Sequence, residues 1–444
     1  MLSNKTLLRA LVIAGLVAPT TAFATDGYFS HAYGLKASSM GGAGVAVALE
    51  PFGGAVNPGA MSFLGNDWQV GISWFSPDRE ASRTGSGPAN IDGSVTSGSK
   101  NFYIPELGVN YMIRPDIAIG VSIYGNGGMN TDYSGGQIPS QSACAQFNPK
   151  PGPYNLMCGN DSLGVNLEQL MVAPYVSWQF VKGHSVGVAP VLAYQTFEAK
   201  GLQAFDNPGL SSSPGNVTNR GKDSATGIGV RLGYMGQIND MFSVGVSWAS
   251  KIGMGEFSDY KGLFAEQGGF DIPETWTLGF AVQPTKQWLI AVDYQQIKYS
   301  GVKSIGNASN LIGYCFMGVR DNCLGANNGA GFGWQDVDVW KLGVQYMMDD
   351  RWTFRAGYNH SDNPIGSADV TFNILAPGVV QDHYTLGASY KLDKDSEIFG
   401  TFWYADRNSV TGTSLLVGFG APPTTTETIS MKETTIGFGY SRRF

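Results

Sequence analysis

Beyond residue 24 the chain has no apolar run approaching the ~18 residues needed for a membrane-spanning helix. Charge is scarce as well. Only 14% of the 444 residues are Asp, Glu, Lys or Arg, against roughly a quarter in soluble domains. The balance is acidic, with a formal net charge of −7, which argues against a nucleic-acid partner, since that would need a basic surface. Cysteine and histidine number four each. Neither cysteine pair has metal-ligand spacing and no histidine lies beside them, so no metal and no cofactor is expected.

What is abundant is glycine, 61 residues, and aromatics, 12%. They fall in a pattern. The chain ends in Ile436-Gly437-Phe438-Gly439-Tyr440-Ser441-Arg442-Arg443-Phe444, which is apolar on one face and small or polar on the other. Such a strand suits a closed barrel whose outer wall meets lipid. The same alternation recurs along the chain, as in Trp68, Val70, Ile72 and Trp74, or Trp276, Leu278, Phe280 and Val282. Fourteen such rows are legible. Several begin and end in Trp or Tyr, as expected where strand ends meet the two headgroup layers. The fold class expected is therefore all-β transmembrane, a 14-stranded antiparallel outer-membrane β-barrel spanning residues 66–444.

Connections alternate in length. Tight turns fall at Pro115-Asp116, Lys182-Gly183, Asn239-Asp240, Pro284-Thr285-Lys286, Asp349-Asp350 and Asp393-Lys394-Asp395. Long Gly/Ser/Asn-rich loops lie near 77–101, 135–163, 204–222, 257–271, 302–332, 362–381 and 408–430. Short turns on the periplasmic side and long loops outside are the outer-membrane pattern. Cys144 and Cys158 share one long loop, and Cys315 and Cys323 another, so two local disulfides are expected. Inward-facing Arg231, Lys341 and Arg355 are expected to pair with acids such as Asp293 and Glu168.

At the N-terminus Lys5 and Arg9 precede a short apolar stretch and Ala22-Phe23-Ala24, the layout of a signal peptide over 1–24. Residues 25–65 do not alternate, yet they carry Tyr28, Phe29, Met40, Phe52 and Met61 among small residues. A barrel of fourteen strands is too wide to fill with its own side chains. This segment is therefore expected to be a hatch that plugs the lumen.

Gly34-Leu35-Lys36-Ala37-Ser38-Ser39-Met40-Gly41-Gly42-Ala43-Gly44 and Ala55-Val56-Asn57-Pro58-Gly59-Ala60-Met61 resemble the hatch of the long-chain fatty acid transporter family. That family includes the toluene and xylene uptake channels. Ile272-Pro273-Glu274-Thr275-Trp276 and Asp349-Asp350-Arg351-Trp352-Thr353-Phe354-Arg355 extend the resemblance. It implies a hatched 14-stranded barrel in the outer membrane of a Gram-negative bacterium. It also implies transport of hydrophobic compounds, long-chain fatty acids foremost, with monoaromatic hydrocarbons as the alternative and a general porin or adhesin as a third reading. The family motif Asn-Pro-Ala reads Asn57-Pro58-Gly59 here. The resemblance sets this motif opposite an inward kink in the third strand, where substrate leaves sideways into the membrane. The matching stretch holds Gly125, Gly127 and Gly128, and three glycines permit a bulge.

Ligand is expected between Tyr28 and Phe29 and the upper wall. For a fatty acid a cation should meet the carboxylate; Lys303, roughly where the family places a ligand-contacting lysine, and Lys200 are the candidates. Pro105, Pro174 and Pro190 interrupt strands around the third, where proline cannot donate to the ladder; they are expected to mark either a wall that can open or ordinary bulges. Expected partners are the hydrophobic substrate, outer-membrane lipids and the barrel assembly machinery, with the protein a monomer. An enzyme built on His360 and His383 beside Asp362 and Asp382 is the rival class. No strained nucleophile motif accompanies them, and an enzyme is not expected.

Overall fold

The computed structural model describes residues 26–444; the expected signal peptide over 1–24 lies outside them. The described residues form a closed antiparallel barrel of fourteen strands. We number them β1 (Asp67–Thr84), β2 (Phe102–Arg114), β3 (Ile117–Asn130), β4 (Gly164–Val181), β5 (His184–Lys200), β6 (Asp223–Gln237) and β7 (Phe242–Ala249). The second half comprises β8 (Thr275–Val282), β9 (Trp288–Ile297), β10 (Val337–Met347), β11 (Trp352–Ser361), β12 (Asp382–Lys391), β13 (Ser396–Thr413) and β14 (Thr426–Arg443). Each strand pairs with its sequence neighbours, and β14 returns to β1 from Asp67↔Arg443 to Thr84↔Thr426. The sheet thus closes on itself, as a sheet embedded in lipid requires.

The period-two pattern sets the two faces. Ile72, Leu278, Leu342, Leu386 and Phe438 are exposed on the outside. On β14 the intervening Gly437 and Gly439 face inward against Leu35, whose side chain would collide with any Cβ there. The terminal Phe444 stacks on Tyr111 of β2 with centroids 6.2 Å apart.

Three elements rise further than alternation indicated. Residues 77–84, 408–413 and 426–430, expected in loops, continue β1, β13 and β14. They stand above the lipid, so no apolar row marks them. Within the first long connection, Gly93–Thr96 folds back on Glu80–Arg83. At the same rim Arg83 donates to Glu427 and to the carbonyls of Ile91 and Leu156. This ties β1 and β14 to two connections in a fully buried network. Both expected disulfides, Cys144–Cys158 and Cys315–Cys323, are present.

Residues 26–66 lie inside the barrel. Short helical turns at Leu35–Ser38, Pro51–Ala55 and Pro58–Phe63 are bound to inward-facing wall groups. Glu50 accepts from the backbone of Lys36 and Ala37 and from Gln69 of β1. Lys36 pairs with Glu397 of β13 at 2.7 Å. Ser62 meets Ser185 of β5, and Asn110 of β2 donates to Met61 and Gly65.

The expected wall ion pairs do not form. Asp293 of β9 accepts from Gly44 and Val45, Lys341 of β10 donates to His31, and Arg231 of β6 reaches Val56. Arg355 of β11 binds Gln345 and Ser389, and Glu168 of β4 binds Lys222. In the low dielectric of the lumen, a charge facing unpaired backbone gains by binding it. Sequence spacing carries no sign of that competition.

Candidate functional site: an apolar path to a break in the wall

Near the long-loop rim, Phe197, Phe205, Phe264, Leu324, Phe332 and Phe372 line a cavity. Among the described residues no charged side chain lines it. The packed rings close it to about 40 Å³, far below the several hundred Å³ typical of an occupied small-molecule pocket. A ligand must therefore part these rings. From the cavity an aromatic chain leads inward: Phe197–Phe264 at 4.6 Å, Phe264–Phe270 at 4.8 Å, Phe270–Tyr28 at 6.2 Å and Tyr28–Phe29 at 5.1 Å. Tyr299 fixes the inner end, accepting from the backbone N–H groups of Tyr28 and Phe29.

Phe29 sits where the wall breaks. Pairing of β2 with β3 ends at Leu107↔Ile123, so Phe102–Glu106 and Tyr124–Asn130 face each other without a ladder. Between β3 and β4 the register slips, placing Asn126 and Gly127 together opposite Gln169. The bulge turns this stretch inward, and the N-terminal segment takes up the backbone groups that β2 leaves free. Gly128 donates to Tyr28 O at 3.1 Å and Ser30 donates to Asn126 O at 3.0 Å. A Cβ at Gly127 would strike the Tyr28 carbonyl, so glycine is required for this close approach. A second, small cavity runs from the break, at Pro105 and Gly125, to His31 and Thr435 deep in the lumen.

The family model described as "Outer membrane protein transport protein (OMPP1/FadL/TodX)" matches residues 152–444. The chain belongs to this family. Its members are transport proteins of the outer membrane, and the barrel described here resides in that membrane and serves passage of hydrophobic compounds. A long-chain fatty acid transport protein of Escherichia coli O6:H1 is 22% identical over 368 residues, covering 74% of this chain and 75% of that protein. Among solved structures, the toluene transporter TodX of Pseudomonas putida aligns with a TM-score of 0.67 at 18% identity, covering 93% of this chain and 99% of that one. A Pseudomonas aeruginosa FadL homologue aligns at 0.66 and 14%, covering 94% and 100%. At these identities the structural matches establish the barrel fold.

Within this family member, the residues singled out from sequence separate into two groups. Tyr28, Phe29, Gly125, Gly127 and Gly128 meet at the wall break. Asn57, Pro58 and Gly59 do not. The Asn57 amide donates to Val45 and Tyr234 carbonyls, its oxygen accepts from Gly59, and Gly59 packs on the backbone of Gly233 and Tyr234 in β6. The motif thus anchors the segment to β5 and β6 rather than standing opposite the bulge. Lys303 pairs with Glu266 at 3.0 Å and donates to Asn327, while Lys200 pairs with Glu198 at 3.4 Å. Both ammonium groups are exposed and neither lines the cavity.

The prolines fall at ladder defects. Pro105 lies on the free stretch of β2. Pairing of β4 with β5 skips from Val172↔Leu192 to Val176↔Val188, which sets Pro174 opposite Pro190. His360 and His383 point to opposite faces, the first toward Asp382 near the outer surface and the second fully buried in the lumen. They cannot act on one substrate. The lumenal residues that sequence reading missed, His31 and Thr435, carried no local signal; each acquires its surroundings from distant parts of the chain.

Proposed function

We propose that the protein admits uncharged hydrophobic solutes through the outer cavity and releases them sideways into the membrane at the β2/β3 break, with residues 25–65 acting as the hatch. The observation that carries this is the unbroken apolar path from Phe197 to Phe29, ending at a stretch of wall with no ladder. A water-filled pore would do little for such a solute, which needs a dry route and then an opening to lipid.

Monoaromatic hydrocarbons fit the charge-free lining best, since no cation among the lining residues waits for a carboxylate. Long-chain fatty acids are a second reading, supported by the relative that shares three quarters of its length with this chain. In that case Lys303, one residue from the lining Ser304, would have to leave Glu266 to meet the acid.

The test is uptake of labelled toluene and labelled oleate by a host lacking its own such transporter, with wild type and Gly125→Arg. Toluene uptake that falls in the variant supports the route and the aromatic reading. Oleate uptake alone moves the protein to the fatty acid reading. Uptake of neither, together with a large steady conductance in planar bilayers, overturns the proposal in favour of an open porin.

A further inference from the structure

Six adjacent strands contribute one transverse row of inward residues. Cross-strand pairing joins Asp293 to Lys341, Lys341 to Asn359, Asn359 to His383, His383 to Ala405, and Ala405 to Glu433. The first two members are spent on the N-terminal segment, through Gly44, Val45 and His31. The far end is different. His383 and Glu433 are fully buried 3.7 Å apart, beyond hydrogen-bond reach, and neither has a hydrogen-bond partner. His31 stacks on His383 with centroids 5.5 Å apart and meets Trp403 edge-on at 4.5 Å.

His31 carries this polar row to the small cavity behind the wall break. Both His31 and Thr435 line that cavity, both are 1% exposed, and His31 Nδ1 and Thr435 Oγ1 have no hydrogen-bond partner. A buried polar atom left unpaired costs about 1–3 kcal/mol, so two of them facing one cavity call for an occupant. Their chemistry specifies it. His31 Nε2 lies 3.4 Å from the Ser38 carbonyl, which can only accept, so Nε2 holds the hydrogen and Nδ1 presents a lone pair. Burial, with Lys341 adding to it, lowers the imidazole pKa to about 3, so the ring is neutral. Thr435 has a hydroxyl hydrogen to give. His31 and Thr435 thus offer one acceptor and one donor to a cavity of about 30 Å³ whose wall includes Phe52, Ile104 and Tyr124. Ser73 adds a hydroxyl to the lining, while Ser30, Tyr33 and Ser38 donate to Ala32, Asn126 and Gly34, and Glu106 accepts from Leu35 and Gln69.

We propose that His31 and Thr435 form a subsite for the O–H group of a neutral amphiphile whose apolar body extends toward the β2/β3 break. The ligand hydroxyl donates to His31 Nδ1 and accepts from Thr435 Oγ1. Two sources share this chemistry: a phenol or alcohol, and a fatty acid in its protonated form. A carboxylate would set its lone pairs against that of Nδ1, and a pure hydrocarbon would leave both polar atoms unpaired. The inference rests on reading the break as the exit for hydrophobic solutes, and it adds a selectivity to that exit.

The test is calorimetric binding to the purified full-length protein in detergent. The probes are p-cresol and p-xylene, which differ by a hydroxyl in place of a methyl, and decanoic acid below and above its own carboxyl pKa. Wild type is expected to bind p-cresol about tenfold more tightly than p-xylene. His31→Phe, which keeps a ring against Trp403, and Thr435→Val, an isostere, should each bring the ratio toward one. Heat-modifiable gel migration reports whether each variant has folded. Decanoic acid binding better below its pKa adds the protonated acid as a source; no such gain restricts the site to phenols and alcohols. Equal affinity for p-cresol and p-xylene in wild type overturns the subsite and leaves it a water site, as does a preference that both folded variants retain. Binding of none of the probes would instead overturn the transport reading beneath it.

Discussion

Asp293 and Lys341 share a rung of the barrel as direct neighbours on β9 and β10, yet neither binds the other. Asp293 Oδ2 accepts from the backbone of Gly44 at 2.7 Å and Val45 at 2.9 Å, and Lys341 donates to the carbonyl of His31 at 2.8 Å. Two opposite charges that could neutralise each other instead hold two points of the same lumenal segment. Burying a charge is costly unless it is hydrogen-bonded, and here the bonds that satisfy the pair are those that seat the lumenal segment.

Asp293→Ala should therefore loosen the segment without dismantling the wall. Two buried N–H groups would lose their acceptor, at about 1–3 kcal/mol each. The expected outcome is a barrel that still assembles but shows larger conductance in planar bilayers and sensitises cells to antibiotics too large for the intact protein. Wild-type conductance in a folded Asp293→Ala variant would show that Gly44 and Val45 do not need this anchor.

Strand identity was legible in the sequence because lipid on one side and a filled lumen on the other impose a strict period of two on every membrane-crossing stretch. The tight turns and the local cysteine pairs were legible for equally local reasons. The inner contacts were not. Gly41, Gly59 and Gly127 look alike in sequence, yet they approach Tyr358 of β11, Gly233 of β6 and Tyr28 respectively. Only the folded barrel brings those partners within reach. Arg231, Lys341 and Arg355 misled for the same reason, since sequence shows the available charges and not the backbone groups that compete for them.

Two of these three glycine contacts make separable predictions. At Gly127 an added methyl would collide with the Tyr28 carbonyl, and at Gly59 it would lie 2.8 Å from the Gly233 backbone. Overpacking of this kind costs about 1–3 kcal/mol. Gly127→Ala should free the N-terminal end and expose Tyr28 and Phe29 to proteolysis. Gly59→Ala should release the C-terminal part of the segment and lower the Tm in detergent, with Tyr28 and Phe29 still protected. Limited digestion followed by mass spectrometry reads both, and identical cleavage patterns would contradict the division of contacts described here.

Reduction should act on the outer loops and spare the barrel. Cys144–Cys158 closes a separation of 14 residues and Cys315–Cys323 one of 8, contributions of about 2–3 kcal/mol each in the chain-entropy account. Arg320 lies within the second closed loop and is exposed, whereas Lys150 in the first precedes Pro151, a bond that trypsin does not cut. Trypsin after dithiothreitol treatment is expected to cut after Arg320 first, while the barrel keeps its heat-modifiable migration. Resistance equal to that of the oxidised protein would assign the rigidity of this loop to the bonds from Arg320 to the carbonyls of Pro208 and Ser211 instead.

Pro174 and Pro190 face each other across β4 and β5 at the rung where the ladder lapses. Each lacks a donor, so neither can be cured by its partner. The double variant Pro174→Thr/Pro190→Val returns both N–H groups. Each hydrogen bond regained is worth about 0.5–1.5 kcal/mol, and the variant is expected to raise the Tm in detergent. If passage through the β2/β3 break requires the neighbouring strands to give way, the stiffer wall should also slow uptake of labelled toluene severalfold. A higher Tm with undiminished uptake would confine the yielding part of the wall to β3 itself. There the bulge at Asn126 and Gly127 already supplies the opening, and these two prolines would only mark where the adjacent ladder lapses.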